Sequence, residues 1–159
     1  MQDLQDLLKF LIHSPIDFVI VGGFAAVIHG CNQTTRDIDI CLTLSNEQII
    51  LLQKTLEPIN PRHRKQKEKP QFQRDNQNVE KFNNLHLETD LGVLDIITQV
   101  EGVGDYYDIL KNSQEIELFG GRCFVISLED LIKAKKTLGR HRDLVIVEEL
   151  EAIKKENEL

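Results

Sequence analysis

The sequence predicts an α/β domain of the α+β type, with a mixed, mostly antiparallel sheet of about five strands and helices packed on one side. Three observations lead to this fold class. Short runs of Val, Ile and Leu bounded by Gly or Asp are typical of strands, and some follow one another closely enough to form hairpins. Leucines at helical spacing open the chain, and its last third reads as a pair of helices. With 159 residues, the chain is expected to form one domain, residues 1–159.

The N-terminal segment predicts a helix, a strand and a second helix. The leucines of the first dozen residues recur at i, i+3, i+4 and i+7, so an amphipathic helix should end before the Ser-Pro pair at 14–15. The run DFVIV, residues 17–21, predicts a short buried strand that a glycine pair ends. The next residues, FAAVIHG, predict a helix of two turns that closes at Gly30.

A second strand, a third helix and a long loop follow. DIDICL, residues 37–42, predicts the strand. Ser45 to Gln48 form a capping box, which opens a helix that Pro58 ends. Residues 59–80 are rich in Pro, Lys, Arg, Gln and Asn without periodicity, so they predict a long flexible loop. A connection of this length inside a domain is usually either functional or disordered.

The remaining segments predict a hairpin, a short helix, two more strands and the C-terminal helices. NLHLET at 84–89 alternates polar and apolar residues, and VLDIIT at 93–98 follows it after an Asp-Leu-Gly turn. A short helix is expected over 105–111, and IELFGGRCFVI at 116–126 predicts two short strands about its glycine pair. A second capping box begins at Ser127 and opens the helical pair over 127–157.

The charge distribution disfavours duplex DNA as a partner. The net charge is −7, so most of the surface would repel a polyanion. Basic residues gather at 62–69, where five Lys or Arg stand against one Glu, and this local charge of +4 leaves the remainder of the chain at −11. Two interpretations are open: a solvated, mobile loop, or a flap that meets a phosphate-bearing substrate.

The cysteines and the N-terminus indicate a cytoplasmic protein. Cys31, Cys41 and Cys123 form no CxxC pair and lie among apolar neighbours, so each is predicted to be a buried, reduced thiol. The N-terminus carries aspartates where a secretory signal has basic residues, and the longest apolar run is too short to span a bilayer. Neither export nor membrane insertion is expected.

Two aspartates inside the second strand are the first candidates for chemistry. Residues i and i+2 of a strand point to the same side, so Asp37 and Asp39 should share one face while Ile38 and Ile40 face the core. Carboxylates roughly 5 Å apart repel each other by about 3 kcal/mol at an effective dielectric constant near 20. A hard cation such as Mg²⁺ would relieve this repulsion, although a surface strand with two solvated aspartates is the commoner explanation of the motif alone.

A glycine pair and a third acid complete the constellation. Gly22 and Gly23 lie between a strand and a helix, where bare N–H groups and the positive helix end can meet an anion. A tight turn that merely needs positive φ is the other interpretation. The segment matches neither a Walker loop nor GxGxxG. Asp95 is again an acid inside an apolar strand, and it can join Asp37 and Asp39 if its strand lies beside theirs.

These motifs resemble the DNA polymerase β-like nucleotidyltransferase superfamily, whose members carry a GG or GS pair, a DxD or DxE and a later strand carboxylate. The segment VGGFAAVIHGCNQTTRDIDI, residues 21–40, is more closely similar to small bacterial and archaeal proteins of the AbiEii-type or minimal nucleotidyltransferases. Their opening looks like VGGxAxxxHGxxRxTxDIDI, and Asn32-Gln33 stands here where a basic residue often occurs. Residues 131–150 resemble the family's helix, Gly-Arg turn and helix, with Lys135 aligned to its recurring lysine.

The resemblance, over residues 15–45, 90–98 and 123–150, implies the nucleotidyltransferase fold and transfer of a nucleoside monophosphate from an NTP, ATP first, to a hydroxyl. Pyrophosphate is the other product. It implies that Asp37 and Asp39 hold Mg²⁺ or Mn²⁺, and that Asp95 completes the metal site and helps to deprotonate the acceptor. Gly22 and Gly23 would contact the β and γ phosphates.

Two cations are further candidates for the nucleotide site. Lys135 could reach the triphosphate from its helix, although a lysine on an amphipathic helix is usually solvated. Arg36 precedes Asp37 and should point to the opposite face of a regular strand, so a surface ion pair is as good an explanation as phosphate binding. No paired ligand spacing is found for His13, His29, His63 and His86, and no chemistry is assigned to them.

Two other functions remain open. The chain could be the nucleotidyltransferase-fold half of a toxin–antitoxin or phage-defence pair that acts mainly by binding a partner protein. It could also modify RNA ends, in which case the basic residues 62–69 should bind polyanion. The acceptor, which could be a small molecule, a protein or RNA, is not indicated by the sequence, because this fold carries many chemistries. A homodimer through the C-terminal helices is also compatible with the sequence.

Overall fold

A mixed sheet organises the protein in the computed structural model, which describes residues 4–73 and 83–159. The strands within these residues are β1 (Val19–Val21), β2 (Asp37–Cys41), β3 (Arg62–His63), β4 (Asn84–Thr89), β5 (Gly92–Ile97), β6 (Gln99–Val100), β7 (Gly104–Asp105), β8 (Gln114–Leu118) and β9 (Gly121–Val125). Seven of them form the sheet, in the order β3-β4-β5-β2-β1-β9-β8, and β6 pairs with β7 in a separate two-stranded ribbon.

Six α-helices lie within the described residues, and several begin where the sequence places a capping residue. They are α1 (Leu4–Ile12), α2 (Gly22–His29), α3 (Asn46–Leu56), α4 (Tyr106–Asn112), α5 (Leu128–Leu138) and α6 (His141–Asn157), and a short 3₁₀ turn, Glu57–Ile59, follows α3. Ser45 accepts a hydrogen bond from the backbone N–H of Gln48, and Ser127 accepts one from that of Asp130. These bonds satisfy N–H groups of the first helical turn, so both predicted helix starts are confirmed.

The centre of the sheet combines parallel and antiparallel pairs. β2 runs parallel to β5, and β1 runs parallel to β9, whereas the other neighbouring strands of the large sheet are antiparallel. The predicted hairpin is present as β4 and β5, joined at the pair Thr89 and Gly92. The prediction of a mixed, mostly antiparallel sheet is therefore confirmed, with seven strands rather than about five.

Helix α1 packs against one face of the sheet, and helix α5 of the predicted C-terminal pair lines a cavity on the other. Leu4 and Leu7 of α1 lie within 3.6 Å of where a Cβ atom at Gly92 would stand. Gly92 shares its side of β5 with the buried Leu94 and Ile96. Helix α5 instead lines a cavity together with Asp95, which points to the opposite side of β5. Helix α5 thus covers part of the acid-bearing face.

Part of the predicted long loop at 59–80 forms regular structure. Arg62 and His63 make the two-residue strand β3, which pairs antiparallel with Glu88 and Leu87 of β4. A single bridge also joins Arg62 to Gln71. The loop prediction is therefore wrong for β3, and residues 74–80 lie outside the described part of the chain. The signal was missed because a two-residue strand has no periodicity.

All three cysteines are buried free thiols, as the sequence predicts. Burial is the main cause that raises the pKa of Cys31 to about 11, that of Cys41 to about 12 and that of Cys123 to about 11. None of the helices in the described ranges is long and apolar enough to cross a membrane.

A thiol-reactivity measurement checks this environment. Ellman's reagent at pH 8 should react with the native protein slowly, because the thiolate is the reactive form and little of it is present at that pH. After unfolding in guanidinium, all three cysteines should react. Rapid reaction of the native protein, at the rate of the unfolded chain, would contradict the burial of these thiols.

Candidate active site

Strand register brings the predicted acids together at the centre of the sheet. β2 and β5 pair in parallel, and Asp39 stands directly beside Asp95. Asp37 lies two residues before Asp39 on the same face of β2, whereas Ile38 and Ile40 are fully buried in the core. The condition for Asp95 to join the Asp pair, that its strand lies beside theirs, is therefore met.

The turn between β1 and α2 packs its first glycine directly on Asp39. Val21, the last residue of β1, pairs with Asp39, so the chain enters α2 immediately beside this carboxylate. Gly22 has a φ of +70°, and a Cβ atom at this position would overlap Asp39 Oδ2. Both the left-handed backbone and the lack of space require glycine here. Gly23 has more room, since its nearest neighbour would be Thr35 Oγ1 at 3.4 Å.

Asp95 is held by two donors on neighbouring elements. Arg64, which follows β3, forms an ion pair through Nη2 with Asp95 Oδ1. His86 on β4 places Nδ1 3.0 Å from the same oxygen. His86 is the cross-strand partner of Asp95, so the pair is fixed by the β4–β5 register. The third carboxylate of the site, Asp95, is therefore paired with a cationic side chain of the protein, Arg64.

The basic segment 62–69 is anchored to the sheet by its ion pairs. Arg62 pairs with Glu88 and Asp90, each at 3.3 Å, and Lys69 pairs with Glu88 at 3.3 Å. Together with Arg64, these residues bind acids of β4, the β4–β5 turn and β5. Lys65 and Lys67 are exposed. The segment thus differs from a wholly solvated loop, because its arginines are engaged with the edge of the sheet.

Burial and the neighbouring carboxylates make Asp39 a weaker acid than usual. Burial, with the negative charges of Asp95 and Asp37 as the next causes, raises the pKa of Asp39 from 3.8 to about 6. Lys135 acts in the opposite direction and lowers it. The ionised form of Asp39 is thus disfavoured in the protein as it stands, and added positive charge near Asp39 would favour it.

A cavity of about 400 Å³ opens beside these acids. Gly22, Asp39, His86, Asp95 and Lys135 contribute to its polar side. Its lining is completed by residues of β1, β4, β5, the β6 ribbon and α5, together with Ile126: Val21, Asn84, Ile97, Gln99, Val100, Glu101, Ile126, Leu131, Ala134 and Leu138. Acids and a cation therefore face a wall that is largely apolar, an arrangement typical of small-molecule sites.

Helix α6 holds the cavity lysine in place. Lys135 Nζ lies 3.6 Å from Asp143 Oδ1, and the Asp143 side chain is 1% exposed. Arg140 donates to Asp143 through Nε at 2.6 Å and through its backbone N–H at 3.2 Å. The hydrogen bonds and charge of Arg140 and the charge of Lys135 lower the pKa of Asp143. Lys135 thus reaches the cavity while anchored to the start of α6.

The structure does not bring every predicted site residue into the cavity. Arg36 is exposed and lies just before β2, outside the cavity lining. Asp37 and Gly23 also lie outside the lining, although each is adjacent to a residue or face that forms it. Phosphate binding by Arg36 stays a prediction with no support from its position.

Sequence reasoning missed Arg64 and His86. The signal for His86 was available, because the hairpin turn pairs Thr89 with Gly92 and counting back along both strands pairs His86 with Asp95. The burial of Leu85 and Leu87 also places His86 on the acid face. Arg64 had no such signal, since its position depends on the short strand β3.

The oxygen donors of the site fit magnesium, although the described residues form no complete metal cage. Within residues 4–73 and 83–159, no group of three His, Cys, Asp or Glu side chains is arranged to hold a metal ion. Mg²⁺ is usually bound by one or two carboxylates, with water and substrate phosphates as its other ligands. Asp37 and Asp39 offer such oxygens, and the raised pKa of Asp39 reflects burial first and then the negative charge of Asp95 and Asp37, which a cation would neutralise. The metal site of three carboxylates stays a prediction.

Comparison with solved structures identifies this architecture in another protein. The chain is similar to a proposed nucleotidyltransferase from Thermotoga maritima, with a TM-score of 0.55 and 20% sequence identity. The match covers 98% of this chain and 91% of the other. The two chains share one fold. The predicted fold class is thereby confirmed, and the nucleotidyltransferase-like architecture extends over nearly the whole chain. No family model matches the sequence, and no curated protein does.

Proposed function

We propose that this protein is a Mg²⁺-dependent nucleotidyltransferase of the AbiEii-like type, which transfers a nucleoside monophosphate from an NTP, with ATP as the first candidate, to a hydroxyl acceptor. The observation that supports this most is the register that sets Asp39 beside Asp95 where helix α2 begins. The Gly22 backbone packs on the Asp39 carboxylate, so a triphosphate at the start of α2 would lie next to the acids.

The cavity provides complementary surfaces for a nucleotide. Backbone N–H groups at the start of α2 and the ammonium group of Lys135 offer positive charge to phosphate oxygens. Leu131, Ala134 and Leu138 form an apolar wall on α5 on which a base or sugar could pack. The cavity volume of about 400 Å³ lies within the range usual for small-molecule sites.

The proposed reaction forms a bond from the acceptor oxygen to the α phosphorus and breaks the bond between that phosphorus and the oxygen of the β phosphate. Asp95 accepts the hydroxyl proton at Oδ2, because His86 Nδ1 already contacts Oδ1 at 3.0 Å. Pyrophosphate leaves with the bonding electron pair. Mg²⁺, when bound by Asp37 and Asp39, supplies charge neutralisation for the triphosphate.

Nucleotide binding tests the proposal directly. Calorimetric titration with ATP, GTP, CTP and UTP, each with and without Mg²⁺, should show binding that depends on the metal. The double substitution Asp37→Asn/Asp39→Asn should reduce the affinity at least about a hundredfold, because charge-assisted contacts to a cation are lost. Glu47→Gln/Glu57→Gln removes the same charge from exposed helical positions and should leave affinity within about twofold.

Absence of nucleotide binding by the folded wild-type protein would contradict the proposal. The remaining candidate would then be a nucleotidyltransferase-fold protein that acts mainly by binding a partner, as in a toxin–antitoxin pair. Modification of RNA ends is less well supported, since Arg62 and Lys69 of the basic segment are already paired with acids of the sheet.

A further inference from the structure

We propose that Arg64 is the resident counter-cation of Asp95, and that a divalent cation can use Asp95 only after the guanidinium has left it. This inference rests on the proposed function, because it concerns how the metal enters the same site. Its consequence is an order of binding: the free protein holds divalent metal weakly, and the metal enters together with the nucleotide.

The backbone places Arg64 beside Asp95. β3 pairs with β4, and the next residue, Arg64, donates its backbone N–H to the carbonyl of His86 at 2.9 Å. His86 is itself the cross-strand neighbour of Asp95. The backbone N–H of His63 donates to the carbonyl of Pro70 at 2.8 Å and closes the basic segment into a loop. The guanidinium is thus tethered at the acid face.

The ion pair occupies one of the two carboxylate oxygens of Asp95 and holds a positive charge beside the other. Arg64 Nη2 and His86 Nδ1 both contact Asp95 Oδ1. A Mg²⁺ ion binds a carboxylate oxygen at about 2.0 to 2.1 Å and tolerates little distortion of its octahedron. A guanidinium and a divalent cation on one carboxylate would also repel each other strongly in this partly buried place, since the Asp95 side chain is only 14% exposed.

The Arg64 guanidinium lacks one hydrogen-bond acceptor in its present position. Its Nε atom is buried and has no hydrogen-bond partner within the described residues. A buried donor without an acceptor is unfavourable, and a phosphate oxygen is a strong acceptor for a guanidinium. A nucleotide therefore offers Arg64 a better partner than Asp95 alone, and it brings the phosphate ligands that the metal lacks in the free protein.

The test measures Mn²⁺ affinity by calorimetry in the absence of nucleotide. Arg64→Gln should bind Mn²⁺ at least about tenfold more tightly than wild type, since one charge at this range shifts the affinity of a carboxylate for a proton by about one to three powers of ten. Lys65→Gln is the matched control, because it removes one charge from an exposed neighbour in the same loop. Its Mn²⁺ affinity should stay within about twofold of wild type.

Arg64→Met is a second neutral variant that keeps an unbranched apolar stem at this position, and the same gain is expected. Thermal unfolding shows which of the two Arg64 variants is folded, and the Mn²⁺ affinity is measured on that variant. Unchanged or weaker Mn²⁺ binding in a folded Arg64 variant overturns this inference, while the proposed function stands if wild type still binds nucleotide with Mg²⁺. If no variant binds metal with or without nucleotide, both the inference and the proposed function fail.

Discussion

Replacing Gly22 with alanine should destabilise the protein by about 2 to 4 kcal/mol and abolish nucleotide binding. The left-handed backbone at φ +70° costs an alanine about 1 to 2 kcal/mol. The new methyl group would also overlap Asp39 Oδ2, so the carboxylate or the turn must move. Because Asp39 pairs with Asp95 across β2 and β5, such a movement disturbs the whole acid cluster. Urea unfolding and nucleotide titration measure the two effects.

Two glycines of the same chain separate the causes. Gly120 has a φ of +75° with nothing near its missing Cβ, so Gly120→Ala should show only the backbone strain. Gly23 has no positive φ, and a Cβ atom there would stand 3.4 Å from Thr35 Oγ1, which is ordinary van der Waals contact. Gly23→Ala should therefore be tolerated within about 1 kcal/mol. If the Gly22→Ala protein is as stable as the Gly120→Ala protein, the conclusion that Gly22 packs closely on Asp39 is wrong.

Asp39→Asn is expected to increase the stability of the nucleotide-free protein near neutral pH while it removes metal-dependent binding. The folded protein raises the pKa of Asp39 from 3.8 to about 6, so the ionised carboxylate weakens the native state. A shift of this size corresponds to at most about 3 kcal/mol, and we expect a gain of about 1 to 3 kcal/mol. Thermal unfolding at pH 7.5 should show a Tm increase of several degrees.

The sign of this effect depends on pH. The stability that Asp39 contributes is fully present below its unfolded pKa of 3.8, where it is protonated in both states, and is lost as pH rises through about 6. The advantage of Asp39→Asn should therefore shrink between pH 7.5 and pH 4.5. Glu47→Gln, at an exposed site, should change stability little at either pH. An Asp39→Asn protein that is less stable than wild type at pH 7.5 without metal would contradict the raised pKa of Asp39.

The acids of the site could be predicted because each lies in a strand with a clear pattern. Alternation put Asp37 and Asp39 on one face, and an acid inside an apolar run marked Asp95. The parallel pairing of β2 with β5 was a conjecture, since sequence patterns within strands do not specify which strands become neighbours. The hairpin did specify a register, and the contact between His86 and Asp95 follows from it.

Arg64 illustrates what local patterns cannot give. Its contact with Asp95 depends on β3, which is two residues long and pairs with a strand more than twenty residues away. The same limitation explains the strand number, because β3 adds a member to the sheet without any apolar alternation. The position of α5 beside the acids was not predicted, because α5 covers polar residues and a cavity rather than an apolar stripe of the sheet.

The two outermost strands of the sheet also govern how copies of this protein meet. An edge strand carries unpaired N–H and C=O groups that can recruit the edge of another molecule and start aggregation. At one border β3 is only two residues long, and residues 70–72 already bond to it, since the backbone N–H of His63 donates to Pro70 and Arg62 forms a bridge with Gln71. At the other border β8 exposes Glu115, which pairs with Arg122 at 3.0 Å, and Glu117, whose charge opposes the docking of a second acidic edge. Within the described residues, both edges of the sheet thus carry features that disfavour edge-to-edge aggregation.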